Sequence, residues 1–428
     1  MDRGPALLFP GQDSFLPGVW AHLRGSDPTA DEVMGTVDAV AADHGHPPVS
    51  PLLLDAEHPE QSGPTHGQGE QRQLAALATS LALARYLESA HHLAPGAVAG
   101  HGSGAFAALA AAGVLTAENA TAALCERIAV LRAPELPPGG MLVLDTSRDG
   151  AEALLREIGE PDLATAEENT PWQTVISGPP PALTHAQKAA DEAGVASTRL
   201  PSEHSLHHPA LAPAAEALRE RLHTIASRPA RCLVYSATQQ RFLPSEQDIA
   251  DWLAADLTTT LSWVSVPEAM QGEEIDSYVE CGSGDALVQW IRECRPGTMC
   301  AAPLARAATA LEIKAALAPV TENTSTTPGE SDAPGLPTIP ASGELEAQVR
   351  ALYVEELEYP EDVVTLDADL VVDLGVDSLQ QNVLLERVLD QYQLSAPEVR
   401  ATEFPTVRAV TELVEELGRR DRSEAEPA

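Results

Sequence analysis

Aromatic residues are scarce in this chain, at 4% of 428 residues. It is nonetheless 44% hydrophobic, so alanine, leucine and valine must fill any packed core. Cysteine is sparse and irregular. Cys125, Cys232, Cys281, Cys294 and Cys300 make an odd number with no C-x-x-C pair. That excludes a disulfide framework, argues against a zinc or other metal site and leaves buried structural thiols. Basic residues are few, with 26 Lys and Arg against 64 Asp and Glu and a net charge of −38. Nucleic acid and anionic membrane surfaces would be repelled and are excluded as partners. Long apolar runs are missing too, and none approaches the roughly 20 residues of a spanning helix. The opening "MDRGPALLFPG" has too short an apolar stretch for a signal peptide. These absences predict a soluble, cytoplasmic protein.

A chain of this length is expected to hold more than one domain. The stretch "PVTENTSTTPGESDAPGLPTIPAS", from Pro319 to Ser342, has no aromatic residue and scattered prolines. Such a segment buries too little apolar surface to offset its ordering entropy, so it reads as a flexible linker. The expected organisation is a domain over 1–318, the linker over 319–342, a small domain over 343–418 and a disordered tail over 419–428. The first part alternates strand-like runs ("ALLF", "GAVAG", "MLVLD", "QTVISG", "RCLVYSA") with alanine-rich helical stretches, the texture of an α/β fold. The second has helical periodicity nearly throughout, with 7 arginines and no lysine against 21 acids from Gly343 onward.

Within the second part, "DLVVDLGVDSLQQ" places Ser378 at the start of a helix in the pattern D-L-G-x-D-S-L. This piece resembles the acyl carrier proteins, small all-α helical bundles. The resemblance implies a 4'-phosphopantetheine arm on Ser378, attached by a phosphopantetheinyl transferase and holding acyl groups as thioesters. A helix N-terminus suits the phosphodiester, because free N–H groups and the helix dipole stabilise an anion there. Asp377 could cap that helix, and Glu386 and Asp390 would share one exposed face.

Six segments of the first part run in one order: "LLFPGQDSF", "QRQLAALATSLALAR", "LCERIAVLRAPELPPGGM", "NTPWQTVISG", "EHSLHHPAL" and "VECGSGDAL". Together they resemble the malonyl-type acyltransferases of fatty-acid and polyketide synthesis. The resemblance implies an α/β-hydrolase-like core with a small inserted ferredoxin-like subdomain. It implies Gln12 at the oxyanion hole, Gln73 and Arg127 in the acyl site with Arg127 on a carboxylate, and His207 as the catalytic histidine. The tetrad His204-Ser205-Leu206-His207 is nearer the malonyl-selecting H-A-F-H than the methylmalonyl-selecting Y-A-S-H, which places His204 beside the substrate. Ser283 stands where the family's E-x-G-P-G stretch has proline.

The family's G-H-S-x-G elbow reads Gly100-His101-Gly102-Ser103-Gly104 here. Glycine holds the nucleophile's position, and Gly102 has no oxygen for the histidine to deprotonate. Ser103 is the nearest substitute. One step along a helix swings its side chain by about 100°, however, and puts His101 and Ala105 where an elbow needs glycine. Three functions stay open. One is an acyltransferase that loads its own carrier, with malonyl-type acyl-CoA or acyl carrier protein as substrate. A second is a scaffold that presents the carrier-bound chain to polyketide synthase or tailoring enzymes, and a third is a thioesterase-like editor.

Overall fold

The computed structural model describes residues 3–11, 14–21, 28–54, 68–244, 248–305 and 310–321 of the N-terminal part. In the C-terminal part it describes 342–357, 363–368, 370, 381, 384–385, 387–389, 392 and 404–424. Contacts divide the chain into Met1–Thr326 and Thr327–Ala428.

The apolar run Ala6–Phe9 forms strand β1 and is buried along its whole length. Continuous burial of this kind is what a parallel sheet covered on both faces demands. Numbered along the chain, β2 (Ala97–Gly100) and β10 (Ser277–Glu280) flank β1 in parallel. Outside them lie β11 (Met299–Ala301) and β7 (Leu233–Ser236), also parallel, and β8 (Arg241–Phe242) closes one edge antiparallel. The order among the described residues is β11-β10-β1-β2-β7-β8.

Side chains of a strand alternate between faces, and here they feed two cores. Leu7, Phe9 and Val98 join a core with α1 (Pro28–Asp43), α2 (Ser50–Leu54), α3 (Gln68–His91), α4 (Gly104–Ala111) and α5 (Ala117–Leu131). Ala6, Leu8, Ala97 and Ala99 face the other way, against Trp263, Leu287 and Ile291.

A second sheet is inserted between β2 and β7. The segments β3 (Gly140–Leu144), α6 (Arg148–Ile158), β4 (Ala164–Thr170), β5 (Gln173–Gly178), α7 (Pro180–Ala193) and β6 (Ser197–Leu200) run βαββαβ. Their strands pair antiparallel in the order β6-β3-β5-β4, the ferredoxin-like arrangement. The helices are delimited locally. Ser147 caps α6 by accepting from Gly150 N, and Gly159 ends it at φ 69°. A short strand, β9 (Leu261–Ser262), adds to β4 in parallel, so the insert is tied to the main body at the strand that carries Glu167.

The main body continues through α8 (Ala212–Leu222), α9 (Ile249–Ala255), α10 (Ser265–Gly272), α11 (Ala286–Cys294) and α12 (Ala310–Thr321). Helix α12 runs past the linker start expected at Pro319, and Val320 is buried. In the C-terminal unit, α13 (Ser342–Leu357) and α14 (Val407–Glu424) share a core of Leu345, Val349, Leu384, Val388, Val410 and Val414. Helix α14 includes residues 419–424 of the stretch expected to be a disordered tail.

All five cysteines are free, with Cys125, Cys281 and Cys300 buried and Cys232 and Cys294 half-buried. Among the described residues no helix is long and apolar enough to cross a membrane.

Glu280, at the end of β10, is fully buried. Its Oε2 accepts from Val288 N at 3.0 Å, and Oε1 has no hydrogen-bond partner among the described residues. Burial pushes its carboxyl up to about 8. The folded state therefore binds a proton that the unfolded chain has released above its ordinary value of 4.5. Stability from this group is complete below that value and is lost as pH rises toward 8. Glu280→Gln should flatten the fall in denaturation midpoint between pH 5 and 8. At pH 8 it should be more stable than wild type by on the order of 1–3 kcal/mol. An unchanged pH slope would contradict this.

Candidate functional site

The segment from β2 into α4 makes a sharp elbow. A Cβ at Gly104 would lie 2.0 Å from Phe9 O, so only glycine lets the helix start this close to β1. His101 N donates to Phe9 O at 2.9 Å and Ala105 N to Gly102 O at 3.1 Å, which fixes the turn. Gly102 sits at its tip with φ +51°, and a Cβ there would meet nothing within 4 Å. The position is open, in the left-handed region, and without an oxygen. Ser103 is already helical, at φ −62° and ψ −14° with no side-chain cap bond. Its Oγ lies toward Gly11, and among the described residues it makes no hydrogen bond to His207. Gln12 lies outside the described residues.

His207 is buried, at 2% exposure, and has φ 55°. A non-glycine residue in that region costs about 1–3 kcal/mol and is held there by its surroundings. Its Nδ1 lies 3.2 Å from Thr259 O. A carbonyl can only accept, so Nδ1 carries the hydrogen and Nε2 is the nitrogen turned to the site. Nε2 lies 3.6 Å from Glu167 Oε1. The other carboxylate oxygen, Oε2, is 3.8 Å from His101 Nε2. His101 Nε2 is 3.1 Å from Asn169 Oδ1, while Asn169 Nδ2 donates to Gln173 Oε1 at 3.1 Å. That second bond turns Oδ1 toward His101, which therefore donates from Nε2. Trp263 and Trp290 flank the His101 ring at 5.4 and 5.2 Å between centroids.

The other predicted site residues gather around Arg127 on α5. Arg127 is 2% exposed. Its guanidinium donates to Gln73 Oε1 at 3.0 Å, and its Nε has no partner among the described residues. Burial lowers its pKa from the ordinary arginine range, partly offset by the carboxylate of Asp256. His204 is held below the ordinary histidine value, by burial first and by the Arg127 charge second. A buried cation with an unclaimed N–H is equipped to take a carboxylate. Ser283 is buried with its Oγ unpartnered among the described residues.

Sequence reasoning brought together Gln73, Arg127, His204 and His207 but missed Glu167, Asn169, His101 and the Thr259 carbonyl as parts of the site. Asn169 and His101 lay inside recognised segments. Glu167 and Thr259 had no local signal. Ser378 lies outside the described residues.

Residues 7–259 match the acyl transferase domain model, and residues 347–414 match the phosphopantetheine attachment site model. Erythronolide synthase of Saccharopolyspora erythraea is 28% identical over 294 residues, 68% of this chain and 8% of that protein. Atrochrysone carboxylic acid synthase of Aspergillus chevalieri is 25% identical over 299 residues, 68% of this chain and 16% of that protein. The chain thus spans a small fraction of these relatives' length. The solved malonyl-CoA:acyl carrier protein transacylase of Xanthomonas oryzae pv. oryzae superposes with a TM-score of 0.65 at 25% identity. The match covers 74% of this chain and 98% of that one. The chain belongs to the acyl transferase domain family and carries behind that domain a phosphopantetheine attachment domain, which implies covalently attached 4'-phosphopantetheine.

Proposed function

We propose that this chain carries a carboxyacyl group as a thioester on Ser378, and that its N-terminal domain holds such groups without forming an ester with them. The observation that carries this reading is Gly102, an elbow tip with no oxygen beside a site that is otherwise furnished. Buried Arg127 remains paired with half-buried Gln73, and His207 keeps its tether to Thr259 O. Losing a triad nucleophile costs around 10⁶ in turnover, while the remaining contacts retain about 10³ over water. Binding thus outlives the standard chemistry. Ser378 supplies the hydroxyl that a phosphodiester link to pantetheine needs, and the arm supplies the thiol on which the acyl group rides. A phosphopantetheinyl transferase and enzymes of polyketide-type synthesis are the partners this reading calls for.

The test is binding of malonyl-CoA and acetyl-CoA to Ser378→Ala protein, measured by calorimetry. Malonyl-CoA should bind with a clear preference, and Arg127→Ala should weaken it on the order of a hundredfold. Acetyl-CoA, which has no carboxylate for Arg127, should be little affected. Equal binding of both by protein with intact Arg127 would contradict the reading.

A second reading is favoured by one observation, the tether of His207 Nδ1 to Thr259 O, which turns Nε2 to the site. In direct transfer, His207 Nε2 would take the proton of an incoming pantetheine thiol, which would free that sulfur to attack the acyl thioester. As the C–S bond to CoA broke, His207 would return that proton to the CoA thiolate. On this reading holo chain and malonyl-CoA give acylated carrier with no partner enzyme. On the first reading they do not.

A further inference from the structure

Among the described residues Trp172 is the most exposed large apolar side chain, at 57%. It sits on the turn between β4 and β5, yet its ring is fixed. The indole Nε1–H donates to Glu293 Oε2 at 3.0 Å. Glu293 lies in the last turn of α11, so this bond joins the tip of the insert's hairpin to the main body. The backbone N–H of Trp172 donates to Thr170 Oγ1 at 3.3 Å and shapes the turn. Both partners stand next to the site. Trp290, one turn before Glu293 on α11, has its ring 5.2 Å from that of His101. Asn169, on the hairpin, has Oδ1 3.1 Å from His101 Nε2 and donates across the turn to Gln173 Oε1 at 3.1 Å. We propose that the Trp172–Glu293 bond is a clasp that holds the insert's hairpin closed on α11 and, by opening, sets how fast thioester ligands enter and leave the acyl site.

Two ties bracket the hairpin residues that face the histidines. At its base Glu168 is held by the main body, with Trp263 N donating to Glu168 O at 2.8 Å and Ser262 Oγ to Glu168 Oε2 at 3.2 Å. At its tip the tie is the indole bond. The two differ in strength. The first is part of the β4–β9 pairing, whereas the second is one side-chain hydrogen bond at the surface. Such a bond biases an equilibrium by about three- to tenfold, enough to favour the closed hairpin and little enough to let it open during ligand exchange. Tryptophan suits this task. Its donor lies at the far edge of a rigid ring with two rotatable angles, so the bond is made at small cost in freedom. A small polar residue on the turn would expose less apolar surface, and what the ring adds is reach to Glu293. Trp172 is thus a positioning residue that acts through the hairpin.

The ligand traffic rests on the reading of this domain as a holder of acyl groups, and the clasp itself does not. The primary measurement is therefore hydrogen exchange of the full chain, read on peptides that span residues 164–178. Trp172→Phe keeps a ring and removes the donor. It should speed exchange there about three- to tenfold and leave peptides of β3 and β6 unchanged. Glu293→Gln keeps an acceptor oxygen and should exchange like wild type. Glu293 has further neighbours, so the pair is isolated by a double-mutant cycle, in which Trp172→Phe should add nothing in a Glu293→Leu background. Unchanged exchange in Trp172→Phe, or an equal effect in both backgrounds, would overturn the proposal. The second readout is the kinetics of malonyl-CoA binding to immobilised Ser378→Ala protein. Trp172→Phe should raise the association and dissociation rates by the same factor and leave their ratio little changed. A bond that served only stability would lower the denaturation midpoint without moving either rate, and that result would also overturn the proposal. If malonyl-CoA does not bind at all, the acyl-holding reading fails, and hydrogen exchange still decides the clasp.

Discussion

Gly102→Ser protein, incubated with malonyl-CoA, is expected to acquire an acyl ester on the peptide containing residue 102, where wild type acquires none. The space is available, since a Cβ at Gly102 meets no atom within 4 Å. The obstacle is the backbone rather than crowding. At φ +51° an L side chain carries strain of about 1–3 kcal/mol, so the variant should be somewhat less stable. Elbow nucleophiles of this kind sit on strained turns as a rule, and the strain does not bar the chemistry. The gain is set against a deficit of around 10⁶ in turnover, so even a slow ester is a large effect. A folded Gly102→Ser protein that stays unmodified by several acyl-CoAs would favour a pure scaffold.

Ser378→Ala is expected to abolish the other covalent event completely. With a phosphopantetheinyl transferase and CoA, wild type should gain one phosphopantetheine mass and the variant none. The phosphodiester needs a hydroxyl, and alanine offers no atom that could form it. An adduct that survives the substitution would place the arm elsewhere. The effect on stability should be small, because losing a serine hydroxyl costs only about 1 kcal/mol even where it caps a helix.

Some of this was legible from residues alone, for reasons that differ by site. The elbow was readable because a strand, a tight turn and a helix leave a local record in "AVAGHGSGAFAALA", and one glycine in that frame removes one oxygen. The insert's strands announced themselves in "MLVLD" and "QTVISG". Arg127 and Gln73 could be placed in the acyl site by resemblance, but their hydrogen bond joins residues on two helices and needed coordinates. Glu167 was invisible. In "ATAEENT" the two adjacent acids fall on opposite faces of a strand, nothing local says which of them turns inward, and the burial of Glu167 comes from how β4 lies against His101 and His207. The linker start expected at 319 and the tail start expected at 419 fall within helices for a related reason. Proline at 319 and the charged run from Arg419 look like punctuation locally. Yet Val320 is packed, and α14 runs on to Glu424. Gln12 and Ser378 rest on motif alone.

The most direct measurement is peptide-level mass spectrometry of wild-type holo chain after incubation with malonyl-CoA, quenched in acid so that oxygen esters survive. The expected result is no acyl mass on any peptide of the N-terminal domain, including the one that carries Gly102 and Ser103, whatever is found on the Ser378 peptide. A stoichiometric acyl ester on Ser103 would contradict it, showing that the nucleophile had moved by one residue and that the domain is an ordinary acyl-enzyme former.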